Sequence, residues 1–137
     1  MANFAQSTLR RSILGMAALV ILAGTSAAQS SESIDALDEV NAARVARGLK
    51  PFIRDDNLTA GARNVAQFRA ERLCAGHTSN DFSGLPVGVT ASASGCAAWP
   101  VSLGWGSCCT YENYRYAGAA WCMGRDGKRY MHLFVRS

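Results

Sequence analysis

Only two histidines, His77 and His132, occur in the 137 residues of this chain. That scarcity leaves few groups able to exchange a proton near neutral pH. A Gly-x-Ser-x-Gly elbow, a phosphate-binding loop and a dinucleotide fingerprint are all missing. Their absence removes support for Ser–His–Asp hydrolysis and for nucleotide-dependent chemistry. There is no internal repeat, no low-complexity tract and no apolar run of the roughly 20 residues that spans a bilayer. Charge of one sign is also in short supply, with 14 basic against 10 acidic side chains, a net +4.

The first residues read as a processing signal. Arg10 and Arg11 form a positive start, Ile13 to Ala23 a short apolar run, and Gly24-Thr25-Ser26-Ala27-Ala28 the small residues of a cleavage site. Residues 1–28 are therefore expected to be a signal peptide, with 29–137 one domain. No cysteine stands at the cleavage point, which argues against a lipoprotein. The expected location is secreted, periplasmic or at the cell surface, with no stable membrane anchor once the leader is cut. Cleavage removes two arginines and no acid, so 12 basic and 10 acidic residues remain, a net +2. A balance so close to neutral gives nucleic-acid binding no support.

All five cysteines, Cys74, Cys96, Cys108, Cys109 and Cys122, lie beyond the leader. In an exported chain they read as disulfide candidates that reinforce a modest core. Adjacent Cys108 and Cys109 rarely bond to each other, because a disulfide wants Cα atoms about 4.4–6.8 Å apart. One of them is expected to reach Cys74, Cys96 or Cys122, with the pairing open.

Apolar periodicity predicts a helix over 33–47, with Ile34, Leu37, Val40 and Ala43 in one stripe and Ser31 or Ser33 at its start. Gly48 is placed to end it in a left-handed conformation. Asp55 or Asp56 caps a second helix running to about Ala75, stopped by Gly76. Its inner face is Leu58, Ala62, Val65, Ala66 and Leu73, with Arg63, Arg69 and Arg72 toward solvent. From His77 to Asn113 the pattern breaks, leaving room for a strand over 87–93 and a short helix around Cys96. Two alternating apolar runs around Arg125-Asp126-Gly127-Lys128 then predict a hairpin whose two central turn residues take positive φ. Tyr116, Trp121, Tyr130, Leu133 and Phe134 make that ribbon too apolar to stand uncovered.

Several segments resemble the CAP superfamily of cysteine-rich secretory, antigen 5 and pathogenesis-related proteins and their bacterial relatives. Val40-Asn41-Ala42-Ala43-Arg44 with Gly48-Leu49-Lys50-Pro51-Phe52 is similar to the family's opening helix and following turn. Asp55-Asp56-Asn57-Leu58 with Ala62, Ala66 and Ala70 is similar to its second helix. His77-Thr78-Ser79-Asn80-Asp81 matches the place of its first site histidine, and Tyr116-Ala117-Gly118-Ala119-Ala120 with Tyr130 to Phe134 its last strands. The resemblance covers roughly residues 35–81 and 114–136. It implies an α+β domain of CAP-like type, a small three-layer α-β-α sandwich with a C-terminal antiparallel hairpin. The family's cavity holds two histidines and two acidic residues, but here the Gly-Glu-Asn segment has no counterpart. The Trp-x-x-Ser-x-x-His segment is shortened to Trp105-Gly106-Ser107-Cys108-Cys109.

The candidate chemistry follows from what remains. His77 is the leading site residue, as a general base or metal ligand, and Glu112 is the carboxylate placed to orient it. His132 alternates with Tyr130 and Phe134, as a packed core histidine would. Cys74 and His77 show a Cys-x-x-His spacing that invites zinc, but no paired knuckles accompany it, and no cofactor is implied. A cysteine nucleophile needs a base and an orienting group, and nothing in the sequence selects one of the five. The aromatic residues Trp99, Trp105, Tyr111, Tyr114, Tyr116 and Trp121 suit either a binding groove or simple packing. The expectation is an exported, non-catalytic domain that binds an extracellular ligand or partner. Its rivals are a hydrolase of peptide or glycan using His77 with Glu112, and a structural envelope component.

Overall fold

The computed structural model describes residues 31–137. The expected leader over 1–28 and the first two residues after it lie outside the described residues. The elements run β1 (Ile34–Asp35), α1 (Leu37–Val45), β2 (Ile53–Arg54), α2 (Asp56–Arg72), β3 (Ala93–Trp99), β4 (Tyr116–Met123) and β5 (Arg129–Arg136), with short 3-10 turns at Asp81–Gly84 and Val101–Leu103. The strands form one sheet in the order β1-β4-β5-β3, with β2 also pairing β4. All pairings are antiparallel except β2 with β4. The protein is a small mixed α+β domain.

Each face of the sheet carries its own core, because side chains alternate across a strand. Leu37 and Val40 of α1 pack with Ala117, Ala119, Leu133 and Val135 on one face. Leu58, Ala62, Val65 and Ala66 of α2 pack with Ala120, Cys122, Tyr130 and Phe134 on the other. Small β4 residues let the second helix approach closely. A Cβ on Gly118 would collide with the backbone of Leu58 and Thr59.

α1 is shorter than its periodicity predicts. Ile34 and Asp35 instead pair with Trp121 and Ala120, and Asp35 Oδ1 accepts from the Leu37 amide at 3.0 Å. Gly48 does take the left-handed conformation, with φ 74°. The Asn41 and Arg44 positions then tie α1 to its surroundings. Asn41 exchanges two hydrogen bonds with the Phe52 backbone, at 3.0 and 2.7 Å. Buried Arg44 donates to the carbonyls of Lys50, Thr110 and Glu112 at 2.8, 2.7 and 3.0 Å.

α2 starts as expected, with Asp55 accepting from the amides of Asn57 and Leu58. It ends earlier, on Leu73, whose left-handed φ of 55° makes the stop expected of Gly76. Arg69 departs most from expectation, since it is wholly buried rather than solvated. Its guanidinium donates to the carbonyls of Gly76, Met131 and Ala75 at 3.1, 2.5 and 2.6 Å. An arginine can be buried only where such acceptors meet its fork of donors.

Two corrections fall in the middle of the chain. The expected strand over 87–93 and the expected helix around Cys96 are replaced by β3, which begins at Ala93 and carries Cys96 at its centre. Its register against β5, Ala93 with Val135 through Trp99 with Arg129, supplies the hydrogen bonds. In the terminal hairpin only Gly127 has positive φ, at 78°. The Gly127 amide bonds to the Gly124 carbonyl at 3.0 Å, so the connection is a type I turn followed by a left-handed glycine.

Candidate functional site

Beyond α2 the chain turns through His77 and Thr78 into the Asp81–Gly84 turn, folding Asp81 back beneath the loop. Asp81 is buried, with a side chain only 3% exposed against 47% for His77. Its Oδ1 accepts from the Thr78 amide and hydroxyl at 2.9 and 2.5 Å. Its Oδ2 lies 2.6 Å from His77 Nδ1. Burial works to raise the Asp81 carboxyl, but the bonds from Thr78 and His77 outweigh it and hold its pKa below the ordinary value. An ionised carboxylate can only accept, so Nδ1 carries a proton, and in the neutral form of the ring Nε2 is the acceptor.

That free nitrogen faces a thiol. Cys108 Sγ lies 3.8 Å from His77 Nε2, and Cys108 is exposed. Cys108 belongs to the loop that passes beside β3, a strand at the sheet's border. A Cβ on Gly95 would strike the Cys108 backbone, so the absence of a side chain there permits this approach. The result is a thiol, an imidazole and a carboxylate in series, the order in which a nucleophile, its base and an orienting group operate.

Beneath this series lies His132. It is completely buried, its ring 6.5 Å from that of His77 and 4.6 Å from that of Phe134. Among the described residues neither ring nitrogen has a hydrogen-bond partner. Burial pushes its pKa down to about 3, with Asp81 pulling the other way and Arg69 and His77 adding to the fall. His132 is therefore a neutral ring at pH 7.

The other expected site residues lie elsewhere. Glu112 is exposed and lines a groove of about 730 Å³ with Arg44, Lys50, Tyr111, Tyr114 and Arg115. The carboxylate that meets His77 is Asp81, not Glu112. The signal was available in sequence, because His77 and Asp81 are four residues apart. Cys74 Sγ lies 4.0 Å from the Arg72 carbonyl, and no group of three or more His, Cys, Asp or Glu among the described residues could hold a metal ion.

All five cysteines are free thiols in this structure, so the expected bridges are not formed in it. Cys122 is buried, with its sulfur 2.9 Å from the Ser31 carbonyl. Cys109 is buried and its sulfur is directed at the Ser94 carbonyl, 3.3 Å away. Burial, with Cys108 beside it, pushes the Cys109 thiol up to about 12. Burial also raises the Cys96 thiol, against the pull of Arg69. Of the three thiols around the loop, Cys108 has an imidazole nitrogen at 3.8 Å, whereas Cys96 stands across the strand pair from the buried His132.

The aromatic residues mostly have intramolecular partners. Arg47 stacks on Tyr111 with its guanidinium 3.6 Å from the ring centre, and Arg129 lies 5.9 Å from both Trp105 and Trp121. Trp99 Nε1 donates to the Gly104 carbonyl at 2.9 Å. Among the described residues, no helix is long and apolar enough to cross a membrane. No family model matches the chain, and no curated protein or solved structure matches it either.

Proposed function

We propose that this chain is an exported CAP-like domain whose loop site performs thiol-dependent acyl transfer, hydrolysing a peptide, ester or thioester bond. The contact series Cys108–His77–Asp81 carries the reading. His77 Nε2 takes the Cys108 proton, and the thiolate attacks the carbonyl carbon. His77 then gives that proton to the leaving group, and water, deprotonated by the same nitrogen, releases the acyl group. Asp81 keeps Nδ1 protonated and offsets the charge on the imidazolium. A separation of 3.8 Å suits a resting thiol contact that shortens when substrate binds. A glycan substrate has less support, since glycosidic cleavage generally uses paired carboxylates flanking the bond.

The CAP-like sandwich is supported by a core on each sheet face and by the close approach of α2 to Gly118. Export is supported by the composition of residues 1–28 alone.

The test is covalent labelling with p-nitrophenyl acetate, with the adduct located by peptide mass mapping. The acetyl group is expected on Cys108, with the rate reduced on the order of 100-fold or more in His77→Ala and no adduct in Cys108→Ser. Equal labelling of the wild type and Cys108→Ser would exclude the thiol mechanism.

A second reading, ligand binding without catalysis, is favoured by the groove of about 730 Å³ beside Tyr111 and Arg115. It requires that Tyr111→Ala abolish retention of a bound ligand while Cys108→Ser leaves that retention intact.

A further inference from the structure

The turn that presents Cys108 has an unusual backbone. The Thr110 amide donates to the Ser107 carbonyl at 3.1 Å, making Cys108 and Cys109 the central pair of a four-residue turn. Cys109 has a φ of 59°, and Cys108 is not in the positive-φ region. A negative φ followed by a positive one defines a type II turn, a place that ordinarily selects glycine or asparagine. A cysteine held there signals that its surroundings impose the conformation.

Those surroundings are explicit. The Cys108 carbonyl is turned toward Gly95, where a Cβ could not be accommodated. The Thr110 hydroxyl also reaches that carbonyl at 3.4 Å and the Gly106 carbonyl at 2.6 Å. Thr110 is itself fully buried, and its carbonyl accepts from Arg44 at 2.7 Å. Because a trans peptide points its N–H opposite its C=O, a Cys108 carbonyl turned toward β3 sends the Cys109 amide away from the sheet. Among the described residues neither the Cys108 nor the Cys109 amide has a hydrogen-bond partner.

Resting on the thiol reading above, we propose that the 107–110 turn is an oxyanion cradle. The Cys109 amide, with that of Cys108, donates to the carbonyl oxygen of an acyl substrate as negative charge develops on it. Thr110 is the positioning residue that holds the cradle in shape. The amide of the residue after a nucleophile recurs as an oxyanion donor because it is rigidly tied to the attacking atom. The substrate class is a planar acyl group whose oxygen becomes tetrahedral and anionic on attack.

The experiment compares two reactions of the same thiol in the full-length protein. Acylation by p-nitrophenyl acetate passes through an oxyanion, whereas alkylation by iodoacetamide does not. In Thr110→Val the acylation rate at Cys108 is expected to fall on the order of 100-fold while alkylation is unchanged. The cradle is overturned if Thr110→Val leaves acylation unchanged, or if both rates fall together. Should that variant not fold, the wild type serves with an oxoester and its thionoester, since sulfur is the poorer hydrogen-bond acceptor. The oxoester preference at Cys108 should exceed that of free cysteine by about tenfold or more, and an equal preference overturns the cradle. Failure of the thiol reading looks different, because Cys108→Ser would then leave the acylation rate intact.

Discussion

His77 and His132 meet edge to face with ring centres 6.5 Å apart, yet their environments are opposite. His77 is exposed and bonded to a carboxylate, whereas His132 is fully buried, with neither nitrogen partnered among the described residues. The pair places an exposed ring held by a carboxylate directly above one that burial keeps neutral.

Folding stability should therefore fall with acidification. The unfolded chain holds His132 near the usual pKa of about 6.5, while the folded chain holds it at about 3. Between those values the unfolded state binds more protons, so the stability present above the unfolded pKa is lost as pH drops toward the folded one. The slope approaches ~1.4 kcal/mol per pH unit. Asp81, with its lowered pKa, acts in the same direction at lower pH. Urea midpoints measured from pH 7 to pH 4 should show the decline, and His132→Phe should flatten it above about pH 5. An unchanged slope in that variant would assign the acid sensitivity to other groups.

At pH 7 His132→Phe should also stabilise the fold by ~1–3 kcal/mol, because two buried polar atoms without partners are removed. Phe134 beside it offers an aromatic neighbour. A thermal melt decides this, and a lower midpoint would mean that the ring is too large for the site.

Asp81→Asn should act on both chemistry and loop order. The amide can still accept from Thr78, but it no longer carries the charge that holds His77 in one tautomer. Acylation of Cys108 should fall about 10²–10⁴-fold, with a stability loss of ~1–3 kcal/mol. Wild-type acylation in Asp81→Asn would remove Asp81 from the mechanism.

Gly95→Ala tests the seat of the thiol loop. The added methyl collides with the Cys108 carbonyl, and overpacking of this kind costs ~1–3 kcal/mol. Iodoacetamide should then react more slowly at Cys108, because the sulfur is carried away from His77. An unaltered rate with an unaltered melt would show that the loop yields freely.

Arg69→Met is expected to destabilise by about 3 kcal/mol or more. It deprives the carbonyls of Ala75, Gly76 and Met131 of their donor. Equilibrium unfolding reads this directly, and a loss under ~1 kcal/mol would mean that water replaces the guanidinium.

Much of the scaffold is legible in local patterns. Asp55 caps α2, Gly48 is left-handed after α1, and the terminal runs pair as a hairpin, each through forces acting within a few residues. β3 is not legible, because Ala93-Ser94-Gly95-Cys96-Ala97-Ala98 has little apolar contrast and becomes a strand only through its partner β5. Arg69 reads as a solvated face until the carbonyls that capture it are seen. Asp81 could have been found from its four-residue spacing to His77, which outranks the distant Glu112.

Sequence alone determined that two amphipathic segments, the second capped by Asp55, and an apolar ribbon would condense into an α+β domain, since caps, turn residues and apolar period are short-range properties. It also limited the possible imidazole bases to His77 and His132. Only the tertiary structure decided which of five thiols meets an imidazole, because Cys108 and His77 are 31 residues apart. Their meeting depends on a loop settling against Gly95 beside β3, a contact that no local periodicity encodes.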